Sequence, residues 1–252
     1  MARARPMAEP NVGHNGGMVV WARALGAVGG VLAATLMLSG CVTTVSGDAV
    51  RDAKTVPTNV PRLAESDIDK VIIPIDRVNA IMGTTDLEVT SDIDDMTDSE
   101  DKVSDPDCLG AMFGAEEAVY KGSGWTAVRD VVAREPEADN DHWVEQTVVV
   151  YPNERNAKRF FEKSRSTWQK CAGTSLAVDT ENTSSLWEFD DVDSGAGMIT
   201  QMTIQEDADG WGCQHALAVA SNITVETWAC GYGVSQEAAT MAIDIMDTAA
   251  AK

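Results

Sequence analysis

Apolar and polar positions fall into their clearest order between His142 and Cys171, HWVEQTVVVYPNERNAKRFFEKSRSTWQKC. Trp143 to Tyr151 is dense in valine and aromatic residues after a polar start, the pattern of a strand passing from a half-solvated edge into a core. Pro152 has no amide to donate and ends the ladder, while Asn153 is placed to cap the amides that follow. From there Ala157, Phe160, Phe161, Ser164 and Trp168 recur at helical spacing, and Arg155, Lys158, Arg159, Lys163 and Arg165 fill the remainder, which predicts an amphipathic helix. Cys171 lies in its last turn on the side of Trp168, and Gly173 suits a left-handed stop.

Upstream, Ile72, Ile75, Val78 and Met82 lie at helical spacing, with Pro74 in the first turn and Gly83 at the end. Asp86 to Asp107 carries ten acidic residues and one lysine. No window in it matches a calcium loop, so it reads as a solvated acidic loop. Trp125 to Arg134 reads as the partner of the Trp143 strand in a hairpin. Downstream, Thr174 to Asp179, Leu186 to Phe189, Met198 to Glu206, Trp211 to Ala220 and Asn222 to Ala229 are strand-like, with Asp209-Gly210 as a hairpin turn. Ser235 is expected to cap a closing helix whose apolar face holds Ala238, Met241, Ala242, Ile245, Met246 and Ala249. The fold class is α+β, a mostly antiparallel sheet with flanking helices.

The last two strands fix a register. With Ser221 and Asn222 as a two-residue loop, Ala220 faces Ile223 and Cys213 falls opposite Cys230, in a close non-hydrogen-bonded pair that suits a disulfide. That leaves Cys108 for Cys171. The same register puts His215 across from Trp228 and diagonal to Glu226, on a face less apolar than the one holding Ala216, Ala218, Ile223 and Val225. His215, Glu226 and Trp228 are therefore candidates for lining a binding cleft, against a purely structural hydrogen-bonded cluster. Glu145 and Gln146, the polar interruptions of the central strand, are the other candidates, against a merely exposed strand end.

The N-terminus changes where all this is expected to sit. Arg23 precedes an apolar run from Ala24 to Leu38 that is too short to span a bilayer and has the shape of a signal peptide, closed by Leu38-Ser39-Gly40-Cys41. That ending resembles the bacterial lipobox, which makes Cys41 the lipidated first residue of the exported chain, with 1–40 as signal and 41–65 as a flexible tether. Met18 serves as well as Met1 as a start. Of 19 Lys+Arg and 40 Asp+Glu, three and one respectively precede Cys41, so the formal charge moves from −21 to −23 on processing. Nucleic acid is an unsuitable partner for so acidic a chain. An exported chain with four remaining cysteines suits two disulfides better than a catalytic thiol or a metal site. Five of the cations lie between Arg155 and Arg165 on the central helix, where a solvated face competes with contact to an anionic envelope polymer. No nucleophile elbow, zinc-protease pair or phosphate loop occurs, so no enzyme, metal or cofactor is expected, although a carboxylate pair for glycan hydrolysis is conceivable.

SDPDCLGAMFGAEEAVYKGSGWTAVRDVVAREP, the central strand and helix, and WGCQHALAVASNITVETWAC resemble the PknH-like sensor domain, the extracellular domain of a mycobacterial receptor Ser/Thr kinase that also occurs on lipoproteins. The likeness covers 66–252 and rests on the four cysteines, the Trp-x-x-Cys helix end and the Cys-x-His strand. It implies a sheet with flanking helices, a cleft, the same two disulfides and a role in binding an envelope or environmental molecule. With a lipobox and tether where the kinases have a membrane span, phosphotransfer by this chain is not expected. The reading is a lipid-anchored, extracytoplasmic binding domain for a small or lipidic ligand on the cell membrane of an actinobacterium. An interaction module of an envelope complex and a wall hydrolase are the alternatives.

Overall fold

A computed structural model describes residues 55–136, 140–180 and 183–252. The expected signal peptide, Cys41 and most of the tether lie outside these residues.

The alternating and valine-rich stretches become strands β1 (Glu88–Ile93), β2 (Ala127–Arg134), β3 (His142–Val150), β4 (Ser175–Asp179), β5 (Ser184–Phe189), β6 (Asp193–Gly195), β7 (Met198–Gln205), β8 (Trp211–Ala220) and β9 (Ile223–Tyr232). They form one antiparallel sheet in the order β1-β2-β3-β9-β8-β7-β5-β4, with β6 beside β7. The helices are α1 (Ile75–Met82), α2 (Leu109–Met112), α3 (Glu117–Tyr120), α4 (Glu154–Cys171) and α5 (Glu237–Ala250). The Asn153 side chain accepts the Asn156 N–H at 3.1 Å to start α4, and Gly173 beyond its end has φ 71°. The β8–β9 register is the expected one, Ala220 facing Ile223 and Cys213 facing Cys230.

Side chains alternate across a strand, so the sheet has two faces. On one, Ala216, Ala218, Ile223, Val225 and Val148 pack beneath Met241, Ala242, Ile245 and Met246 of α5 and beneath Val78 and Met82 of α1. On the other, Val149, Leu217, Trp228 and both cysteines of the hairpin pack beneath Phe160, Phe161 and Trp168 of α4 and beneath α2. Both faces are thus covered by helices.

Three expectations are corrected. The acidic loop contains β1, an edge strand on β2 whose residues are exposed or half-exposed throughout, so it leaves no hydrophobic signature. Residues 55–65, read as the end of the tether, pack onto the domain: Val56 and Leu63 are buried, and Leu63 exchanges two hydrogen bonds with the Asn222 side chain at 2.8 and 3.0 Å. Ser235 does not cap α5. The Glu237 carboxylate accepts the N–H groups of Ser235 and Gln236 instead, at 2.6 and 2.8 Å. Among the described residues no helix is long and apolar enough to cross a membrane.

Candidate functional site

Three cross-strand rows face α4. The first joins Trp143, Cys230, Cys213 and Thr203; the second Glu145, Trp228, His215 and Gln201; the third Asp130, Thr147, Glu226 and Leu217. The polar members of the second and third rows are buried, so their hydrogen-bonding needs must be met internally.

His215 has no exposed surface and lies between two indoles, its ring centre 4.0 Å from that of Trp168 and 4.0 Å from that of Trp228. Burial lowers its pKa against the opposing pull of Glu226, so the ring is neutral and donates from Nε2 to Glu226 Oε1 at 2.8 Å. The other oxygen of Glu226 accepts the Tyr120 hydroxyl at 2.8 Å. Burial and the Glu226 charge push the Tyr120 phenol well up, which keeps it a donor. Trp168 Nε1 donates to Gly110 O at 2.6 Å, and the Cys108–Cys171 disulfide ties the start of α2 to the end of α4. These two links hold α2 over His215.

Glu145 and Asp130 share a side-chain hydrogen bond on neighbouring strands. Thr147 Oγ1 donates to Asp130 Oδ1 at 2.6 Å and lies 3.3 Å from Glu145 Oε1. Burial, and then the Asp130 charge, raises the pKa of Glu145 well above the ordinary carboxyl range, and burial raises that of Asp130 too. The pair holds a proton that an exposed pair would release. The backbone after α2 runs directly over Glu145, since a Cβ added at Gly114 would stand 2.6 Å from Glu145 Oε1. Any larger residue there would push the carboxyl aside.

Next to Glu145 a cavity of about 460 Å³ opens at the first row. Trp143, Trp228 and the Cys213–Cys230 disulfide, with Cα atoms 3.9 Å apart, form its sheet side. Trp187 of β5, Trp211 at the start of β8, and Met112 and Phe113 at the end of α2 supply the walls. Asn140 stands at its rim. Its volume and apolar lining are those of a small-molecule site. Trp228 is 2% exposed, and its Nε1–H has no acceptor among the described residues. No group of three or more His, Cys, Asp or Glu converges as a metal site among the described residues.

The model of the PknH-like extracellular domain matches residues 63–252. This chain belongs to the PknH-like extracellular domain family. The serine/threonine-protein kinases PknH of Mycobacterium bovis and Mycobacterium tuberculosis are each 35% identical to it over 192 residues, which is 76% of this chain. The match takes in 32% and 31% of those kinases, so the chain spans about a third of the relatives' length. The crystal structure of the extracellular domain of PknH from Mycobacterium tuberculosis superposes with a TM-score of 0.73 at 34% identity, covering 77% of this chain and all of that one. The expected family and the antiparallel α+β fold with two disulfides are therefore shown.

Within the PknH-like domain the proposed site residues separate. Trp228 and Glu145 line the cavity, as do Cys213 and Cys230. His215 and Glu226 lie one layer below it, closed over by α2, α3 and α4. Gln146 belongs to the opposite face, where its amide clamps the Ile73 peptide by accepting from its N–H at 3.1 Å and donating to its carbonyl at 3.3 Å. Sequence reasoning missed Trp187, Met112, Phe113 and Asp130. Trp143 and Trp211 were not among the proposed residues either; the register that paired the cysteines puts Trp211 on their face, whereas Trp143 reaches it through the β3–β9 pairing, which the sequence did not fix.

Proposed function

We propose that this PknH-like domain captures a small or lipidic molecule in its tryptophan-lined cavity, on the outer side of a membrane to which Cys41 anchors the chain, without catalysis. The observation that carries the reading is the cavity: four indoles, a methionine, a phenylalanine and a disulfide around about 460 Å³, a collection of apolar surface that a domain without a ligand has reason to bury. Non-catalysis is supported by the two histidines of the domain. His215 is fully buried and His142 is occupied with Glu135 at 2.6 Å, so neither is placed as a free general base at the cavity. It is supported too by Asp130 and Glu145, which share a hydrogen bond on neighbouring strands rather than facing each other across a gap, as glycan hydrolysis requires.

Native mass spectrometry of the purified chain after exposure to fractionated envelope extract tests the capture. An added mass that survives gentle desolvation is expected. A chain that stays clean in every fraction while other proteins co-purify would favour an interaction module instead. For the anchor, Cys41→Ala is expected to move the protein from the detergent-dependent to the soluble fraction, and unchanged detergent dependence would count against lipidation.

A further inference from the structure

The cavity and the polar network beneath it meet at Glu145, which belongs to both. Asp130, Glu145 and Glu226 are three buried carboxyl groups, and among the described residues no Lys or Arg makes an ion pair with any of them. Their one basic contact, His215, is neutral because of burial. Asp130 and Glu145 hold a proton between them, so the negative charge left on the three groups has no cationic counter-ion among the described residues, under a chamber walled by Trp143, Trp187, Trp211 and Trp228. Indoles attract cations through their ring quadrupoles, most strongly when the cation is desolvated, and a buried carboxyl without a counter-ion adds to that attraction. A neutral apolar guest would use the indoles and leave the carboxyls uncompensated. Among the described residues the Trp228 Nε1–H is buried without an acceptor, on a ring that lines the chamber, and an oxygen on the guest would satisfy it.

We infer that the cavity takes an organic cation of the alkylated-ammonium class carrying a hydrogen-bond acceptor beside its charge. This rests on the capture reading above and specifies its ligand. The cavity is roomier than the cationic end alone needs, so the rest of the ligand extends along the Met112 and Phe113 wall.

Choline is the probe for that end, and 3,3-dimethylbutan-1-ol is its uncharged counterpart of the same shape. Both are titrated into the full chain and followed by indole fluorescence and calorimetry, with decan-1-ol as a third, purely apolar probe. Choline is expected to bind at least roughly tenfold more tightly than its neutral counterpart. Glu145→Gln is expected to bring the two within about threefold, since a cation in the chamber favours release of the Glu145 proton and an amide cannot ionise to meet it. Choline binding is also expected to weaken as pH falls. The groups facing Glu145 are Asp130 from β2, Thr147 on its own strand and Glu226 from β9, with His215 and Tyr120 acting through Glu226, and Glu145 and Asp130, their pKa values raised by burial, hold protons more firmly in that direction. The two-probe comparison needs no variant, so a misfolded Glu145→Gln does not blunt it. Equal binding of choline and its counterpart, or binding of decanol alone, overturns the cation and leaves the capture reading standing. Binding of none of the three overturns both.

Discussion

On one side of the sheet, α5 meets β8 and β9 through alanine, methionine and isoleucine alone, with Thr227 and Gln214 satisfied by the Ala238 carbonyl and the Ala239 N–H. On the other, α2, α3 and α4 cover a histidine, three carboxyls and a tyrosine, and leave an open chamber beside them. Both disulfides are on this second side. The contrast follows from physical chemistry. An apolar face gains stability with every methylene it buries, whereas a face that buries carboxyls spends part of that gain on their desolvation and gains nothing from an empty cavity. On that side the Cys108–Cys171 cross-link ties α2 to α4 above the sheet, and Cys213–Cys230 joins β8 to β9 in the chamber floor.

The largest expected effect breaks the cross-link on the polar side. Replacing Cys108 and Cys171 together by serine opens a closure spanning 63 positions and is expected to cost about 4 kcal/mol of unfolding free energy in the loop-entropy account. Denaturant melts measure it, and a loss below about 1 kcal/mol would mean that packing alone holds α2 over His215. On the apolar side, Ile245→Ala removes a fully buried side chain and is expected to cost about 3 kcal/mol. Its cost should be the same in mildly acidic and neutral buffer, because Ile245 packs within an apolar cluster of buried side chains; a pH-dependent cost would erase the contrast.

The smallest effect is a slope. Glu145 has a folded pKa raised above its unfolded value of about 4.5, so the native state keeps a proton that the unfolded chain gives up. Stability therefore falls as pH rises from that value toward the folded pKa. Glu145→Gln is expected to remove this part of the decline, so that melts of variant and parent diverge progressively from acid to neutral pH in the variant's favour. Asp130 acts in the same direction and remains in both proteins. His215 acts in the opposite one: below about pH 6.5 the unfolded chain binds a proton that the buried ring refuses, so stability falls with acidification in both proteins alike. Parallel curves would show that Glu145 ionises freely in the fold.

Much of the scaffold was readable because local signals agreed with one another. The Val-rich strand, Pro152, the Asn153 cap and the Phe160–Trp168 stripe all point to one strand and one helix, and a two-residue loop at Ser221-Asn222 carries a register along ten paired positions. β1 was not readable, because an edge strand among acidic residues buries too little to impose a period. The site was half readable for a different reason. Register tells which side chains share a face but not what lies on top of it. Nothing local to LGAM or EAVY announces that α2 and α3 close over His215 and Glu226 while stopping short of Trp228. Gln146 was misplaced because a polar residue in a strand looks the same whether it meets solvent or clamps the Ile73 peptide.

Asn222 gives the domain two unlike poles. At the β8–β9 loop this side chain holds Leu63 on one side and the Tyr151 carbonyl on the other, so the chain enters the fold beside that loop. The disulfide that floors the chamber lies eight residues further along each strand from that loop, about 27 Å away at roughly 3.4 Å per residue. The first described residues therefore meet the domain at its closed end, and the mouth, lined by Trp211 and Asn140, faces the opposite pole.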